Sequence, residues 1–517
     1  MHVDARNLEN NSLIEGDICI VGAGAAGISM ALEFMNLPYK IILLESGGFE
    51  YEDRIQELYR GKTTGQPYYP IKSTELHYFG GTTGHWGGMC SFFDPIAFEK
   101  RHWVPDSGWP FGQDSLMPYY ERGYKYLEIG VFEFGLEYWQ KKDSSLVTLP
   151  LDKDVFWTKL WNFSKPTRFG TRYKDTIVNA KNIHLYTYAN LVDIVANESV
   201  KHIESVTVSN FAGKTHRVKA KYFVLACAGI QNPRILLAAN KQAPLGLGND
   251  HDLVGRYFME HFEIKSAELW MEQKSELKLY MNLNPRVHGE LAVVPKKQEE
   301  YEILNGLVSF TPLEIAKTRP SYIQVWTKSD PRENMKVEPE PAYKTFYHNI
   351  KKLFVSESSK NLHQAFQLTL RMEQTPNPLS RVTLGTEKDE LGVPRASLNW
   401  AFTPLDRKSI RKIYEMVGQQ AGAAGIGRLK LMEELWDENG DKLPTTTSGG
   451  WHHMGTTRMN EDPKKGVVDA NCKLHGIDNL FLAGSSTFPT GGGVNPTYTI
   501  VAMSIRLVDH LSEQMKA

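Results

Sequence analysis

A glycine turn between two short apolar strands constrains this chain more than any other feature. Residues 17–21 (DICIV) form an apolar run that ends at Gly22-Ala-Gly24-Ala-Ala-Gly27. Ile28, Ala31, Leu32 and Met35 follow at helical spacing. Pro38 ends that pattern, and residues 40–45 (KIILLE) supply a second strand. In such a strand–turn–helix–strand unit Gly22 permits the tight turn and Gly24 lets the backbone approach a pyrophosphate. Gly27 lets helix and strand pack closely. The helix N-terminus offers free N–H groups and a positive dipole end to phosphates. Glu45 closes the second strand, where a carboxylate can accept a hydrogen bond from a ribose hydroxyl. The unit predicts dinucleotide binding, and by itself does not separate FAD from NAD.

A chain of 517 residues is too long for one simple core, so two or three packed units are expected. Lys+Arg 59 against Asp+Glu 60 leaves a net charge of -1, without the basic excess of a nucleic-acid binder. Cys19, Cys90, Cys227 and Cys472 are far apart, with no CxxC pair and no metal-ligand cluster, and predict a reduced protein with no metal site. Residues 1–17 are polar, without the apolar stretch of a signal peptide, and no run approaches the ~18 apolar residues of a membrane span. These features predict a cytoplasmic protein, with export alongside a folded partner as the alternative.

Texture changes along the chain suggest its organisation. Residues 61–94 are rich in Gly, Thr, Tyr and His and read as loops around a site, with 61–78 open to two readings, a lid or an oligomer contact. Residues 96–179 are aromatic and irregular, with a helical pattern near 117–127, and α/β texture resumes from 183 to 240. Between 263 and 443, strand-like runs at 291–294, 307–310, 323–326 and 382–384 alternate with charged connections. One amphipathic helix there is opened by Thr403-Pro404, with Ile410, Ile413, Val417 and Ala421 on one face. The predicted fold is therefore α/β plus β-rich. Residues 1–95, 180–262 and 445–517 are expected to form a discontinuous Rossmann-like dinucleotide-binding domain, and 96–179 with 263–444 an inserted sheet-based substrate domain.

Six segments, in order, resemble the glucose-methanol-choline (GMC) oxidoreductase family. They are residues 22–27 with Glu45-Ser-Gly, 80–88 (GGTTGHWGG), 224–233 (VLACAGIQNP), 373–382 (EQTPNPLSRV), 451–459 (WHHMGTTRM), and 479–484 (NLFLAG) leading to 493–497 (GVNPT). The resemblance covers nearly the whole length and implies FAD as the dinucleotide. It implies that FAD meets Gly22, Gly24, Gly27, Glu45, Gly80, Gly81, His85, Trp86, Leu191, Ala228, Gly484, Ser485, Pro496 and Thr497. Thr83-Gly84-His85-Trp86 is similar to the segment of the pyranose oxidase branch in which histidine bonds covalently to the flavin. Gly84 and Gly87 stand where that branch usually has Thr, so a non-covalent His85 is the other reading.

Alcohol oxidation needs a base for the hydroxyl proton and an acceptor for the hydride. Histidine is the side chain whose ordinary pKa lies nearest neutrality. His452 lies in a Gly/Thr-rich stretch whose His-x-x-Gly-Thr pattern matches the family's catalytic histidine, with His453 as its competitor and a candidate substrate contact. Asn495 matches the second catalytic position; a helix cap is its other use. Gln374 is read either as a substrate contact or as a structural amide.

The implied reaction is oxidation of a CH–OH group, at C2 or C3 of a sugar or glycoside ring, by hydride transfer to flavin N5. Oxygen, a quinone or a redox protein would take the electrons, and a homo-oligomer or a small accessory subunit is the expected assembly. The alternatives are a catalytic subunit that depends on a partner and a lyase on the same fold.

Overall fold

The computed structural model describes all residues except 166, 273–276, 282–285, 314–364, 437–441 and 517. The strand expected at 323–326 lies outside the described residues. Two sheets organise the rest.

The first is a six-stranded parallel sheet, in the order His2–Asp4, Ile183–Thr187, Ile41–Leu44, Ile18–Val21, Tyr222–Leu225 and Leu480–Leu482. The central strands are fully buried and uniformly apolar, as a strand covered on both faces must be. The helix Ala25–Phe34 and the C-terminal helix Thr497–Lys516 pack on each other and cover it. Chain order reverses at Ile18–Val21, whose neighbours are the next strand on one side and Tyr222–Leu225 on the other. Ligands of open α/β sheets bind at such a switch point, outside the carboxyl ends of the strands.

The second is an antiparallel sheet in the order Gly427–Leu431, Phe262–Met271, Ala365–Met372, Gly306–Pro312, Val287–Val293, Phe156–Phe163 and Met89–Cys90, with Ser448–Gly449 paired to Phe262–Met271. The helix Pro404–Ala423 closes over it. Its N-cap is the expected one: Asp406 accepts the Thr403 N–H at 2.6 Å, a capping box.

The boundaries differ from the sequence reading. The helices Met117–Gly123 and Phe169–Asn179, expected with the substrate domain, pack on the C-terminal helix and on Ala25–Phe34 respectively. Their apolar faces are short, and only contact with the parallel-sheet layer buries Tyr120, Phe169, Tyr173 and Ile177. Conversely Lys62–Gly65, expected with the dinucleotide domain, adds a parallel strand to Pro394–Trp400 on the other side. Among the described residues, no helix is long and apolar enough to cross a membrane.

Candidate active site

The carboxyl ends of the parallel strands carry a crevice. Gly22 has φ 104°, and a Cβ there would stand 2.6 Å from the Ala226 carbonyl oxygen, so only glycine turns here. A Cβ on Gly27 would meet the Gly22 oxygen at 1.9 Å, which is how closely helix and strand are packed. Gly24 by contrast faces open space, with Gly81 packed against its backbone. Gly80 donates its N–H to Ala23. Ala228, at φ 63°, is exposed although the strand leading to it is buried, and a Cβ on Gly484 would also meet nothing.

Glu45 is buried at the second strand end. One carboxylate oxygen accepts the Gly47 N–H at 2.9 Å and the other the Ala23 N–H at 3.1 Å. Burial pushes its pKa up to about 7 against those bonds. Leu191 is half-buried just beyond the turn whose Ala189 N–H bonds the Glu45 carbonyl, which puts it at the same end of the crevice. Phosphate-sized space at Gly24, an acid at the neighbouring strand end and exposed backbone at Ala228 suit a dinucleotide.

At the other end lies the histidine cluster. His85 stacks at a tilt on Trp451, ring centroids 5.3 Å apart, and both its ring nitrogens are buried without a partner among the described residues. Burial, then Arg168, lowers its pKa to about 4. Such an imidazole fits against a bound flavin. The Trp86 N–H, in contrast, is spent on the Thr167 carbonyl at 2.8 Å, so its indole is a packing element.

His452 is half-buried, and its Nδ1 lies 2.9 Å from Nδ1 of His261. Nε2 of His261 faces the carbonyl oxygens of Gly491 and Gly492 at 3.1 and 2.8 Å. Carbonyls only accept, so that Nε2 carries a proton. Burial, then Arg371, lowers the His261 pKa to about 4, which keeps the ring neutral and its Nδ1 bare. The proton in the Nδ1–Nδ1 contact therefore belongs to His452, whose own Nε2 is left as a lone pair. Burial, then His261, Arg371 and His453, holds His452 well below its ordinary pKa.

Glu260 fixes this ring from behind. One of its oxygens accepts the backbone N–H groups of His452 at 2.6 Å and His261 at 2.9 Å. Two residues beyond the Gly491–Gly493 loop, Asn495 has a buried Oδ1 that accepts nothing among the described residues, so it does not cap the helix after it. Pro496 starts that helix's bonding, its carbonyl accepting the Ile500 N–H at 2.8 Å, and Thr497 is its first residue.

Two expectations need correction. His453 is not a substrate contact, because it is buried with both nitrogens engaged. Nδ1 donates to Glu75 at 2.9 Å, and Nε2 donates to the Tyr68 hydroxyl at 2.9 Å, which in turn donates to Glu260 at 2.5 Å. Burial lowers its pKa, but the hydrogen bond and charge of Glu75, with Glu260 behind, outweigh that and raise it overall. Gln374 is also a structural amide. Its oxygen accepts from Glu260 N and Trp400 Nε1, its nitrogen donates to the Ala401 carbonyl, and it has no exposure. Ser485, similarly buried, donates to the His453 carbonyl at 2.6 Å and ties the histidine loop to the Gly484 turn.

His261, Glu260, Tyr68 and Glu75 had not been singled out in the sequence. The visible signal was Glu260-His261 set between Met259 and Phe262, two titratable residues in an otherwise apolar strand entry.

Residues 376–504 match the C-terminal domain of the GMC oxidoreductases. The chain is 24% identical to 2-methyl-1,2-propanediol dehydrogenase of Mycolicibacterium austroafricanum, over 96% of this chain and 95% of the relative. It is 23% identical to 6'''-hydroxyparomomycin C oxidase of Streptomyces lividus, over 97% and 92%. With the fructose dehydrogenase large subunit of Gluconobacter japonicus it shares 29% identity over 59% of this chain and 49% of the relative. The fold resembles the crystal structure of formate oxidase at TM-score 0.58 and 17% identity, covering 98% of this chain and 100% of the other.

Proposed function

We propose that this chain is an FAD-dependent GMC oxidoreductase that oxidises a ring hydroxyl of a sugar or glycoside, at C2 or C3, with His452 as the base. The observation that carries the reading is the His261–His452 pair, because it leaves a deprotonated, unshared nitrogen on His452 at neutral pH. That nitrogen takes the hydroxyl proton, and the Asn495 amide steadies the oxygen as it becomes an alkoxide. The glycine crevice and Glu45 would hold FAD, which would supply the hydride acceptor there, with oxygen, a quinone or a redox protein as the final electron acceptor.

We read His85 as a non-covalent contact to that cofactor. A Cβ on Gly84 would stand 1.9 Å from the Tyr78 hydroxyl, so the threonine usual in the covalently linked branch would have to displace the Tyr78 side chain. Acid precipitation tests this: a yellow supernatant is expected, and a yellow pellet would show a covalent bond. The sugar reading is supported by relatives named for sugars and aminoglycosides. A second reading, a catalytic subunit working with a smaller partner, is favoured by the relative named as a large subunit.

Anaerobic mixing with a panel of sugars, followed at the flavin absorbance, is the direct experiment. Bleaching by a sugar is expected. His452→Ala should retain FAD and lose roughly 10²–10⁴-fold in bleaching rate. Wild-type bleaching in that variant would remove His452 from the mechanism, and turnover without any bleaching would make the protein a lyase.

A further inference from the structure

The antiparallel sheet turns one face toward His452 and Asn495. Glu263 lies directly opposite Arg371, Arg371 opposite Leu307, and Leu307 opposite Ala292, so these side chains share a face. Glu290, two residues before Ala292, is on that face as well. A Cβ on Gly493 would stand 3.3 Å from the Leu307 side chain, so the face looks onto the loop leading to Asn495. At its edge Glu263 pairs with Ser448, four residues before His452. The Arg371 charge is one of the causes depressing both His261 and His452.

Two arginine–glutamate pairs in this sheet region differ in a telling way. Arg101 and Glu373 are fully buried and bidentate at 2.8 and 2.6 Å, a closed structural pair. Arg371 is shared loosely. It reaches one Glu263 oxygen at 3.2 and 3.4 Å and both Glu290 oxygens at 3.4 Å, the outer margin of a hydrogen bond. Its side chain remains 13% exposed and that of Glu263 24%. The other Glu263 oxygen accepts nothing among the described residues. Trp161 lies beneath, 5.4 Å from the guanidinium, and donates to Glu290 at 2.9 Å, which fixes the floor of the pair.

We infer that Glu263 and Arg371 together form the subsite that recognises a vicinal diol on the substrate. One hydroxyl donates to the free Glu263 oxygen, and its neighbour accepts from Arg371, while a third carbinol meets His452. An acceptor and a donor held side by side match adjacent hydroxyls. A monohydric alcohol would leave the second Glu263 oxygen unmet and Arg371 with only its long bonds to Glu263 and Glu290. The inference rests on His452 being the base of an alcohol oxidation, and it narrows the substrate to neutral polyhydroxylated molecules.

The test pairs a substrate change with a protein change. In the wild-type holoenzyme a sugar that bleaches the flavin is compared with its monodeoxy analogues, and the same set is run on Glu263→Gln and Arg371→Lys. Binding of each sugar to His452→Ala holoenzyme, with or without Glu263→Gln, is measured by calorimetry, so that recognition is read apart from turnover. One deoxy position should weaken binding to His452→Ala by roughly ten- to hundredfold, and that same analogue should lose little further when Glu263→Gln is added. Glu263 is half-exposed and its glutamine is isosteric, so this variant keeps the fold even if Arg371→Lys strands Glu290. Equal sensitivity of the variant and the parent to every deoxy analogue would overturn the subsite and leave the His452 reading intact. Failure of every alcohol to bleach the wild type would bring down both.

Discussion

His452 and His453 are neighbours in sequence and opposites in chemistry. His453 sits between Glu75 and the Tyr68 hydroxyl, where two acceptors keep it protonated. His452 meets another neutral imidazole and keeps a lone pair. Side-chain identity is the same at both positions. The partners differ, and partners decide which histidine is structural and which can act as a base. Glu260 links the two, accepting from Tyr68 with one oxygen and from the His452 backbone with the other.

This contrast predicts a stability curve with two limbs, and the acid limb is the larger. His77, His85, His261, His288 and His452 all have folded pKa values below 6.5, His77 at about 3 and His85, His261 and His288 at about 4. The unfolded chain binds their protons first as pH falls. Stability present above 6.5 should therefore be lost toward pH 4, at about 1.4 kcal/mol per pH unit for each group. His453, with its pKa raised, acts in the other sense: its contribution is complete below 6.5 and fades as pH rises through its folded value. Urea denaturation of the purified protein across pH 4–9 checks both limbs, and a flat acid side would remove the claim that these rings are buried neutral.

Glu75→Leu should cost roughly 3–5 kcal/mol in the same denaturation, because it strands a buried imidazolium. His261→Leu should slow anaerobic flavin bleaching by about ten- to hundredfold with little loss of FAD, since the His452 proton loses its acceptor. His261→Asn, whose amide oxygen can take that proton, should recover part of the rate; equal damage from both would show that His261 only fills space. Tyr68→Phe is expected to be mildest, about 1–3 kcal/mol for the interrupted link between His453 and Glu260.

Legibility in the sequence followed the range of the interactions. The glycine turn, the strands at 18–21 and 41–44 and the capped helix Pro404–Ala423 are local patterns, and each stands where its residues placed it. The loop carrying His452 was visible through its motif. The partner of His452 was not, because His261 reaches it only after strand Phe262–Met271 pairs with Ser448–Gly449, and no local periodicity encodes that meeting. Tyr68 was hidden for the same reason: residues 61–78 read as a lid or a contact, yet their tyrosine joins the buried network under the site. Gln374 misled because a glutamine beside two prolines looks available until Glu260 and Trp400 are seen to occupy its oxygen.

The strand Leu480–Leu482 lies beside Tyr222–Leu225, although the antiparallel strands from Phe262–Met271 to Ser448–Gly449 are synthesised between them. During translation Tyr222–Leu225, paired with Ile18–Val21 on one side, must wait with the N–H and C=O groups of its other edge unpaired, an invitation to foreign strands. The Gly484 turn arrives with the missing strand, so the nucleotide cleft acquires its last wall late. On the proposed reading, cofactor loading is a finishing step of folding, and expression at low temperature with ample riboflavin should raise the yield of yellow protein.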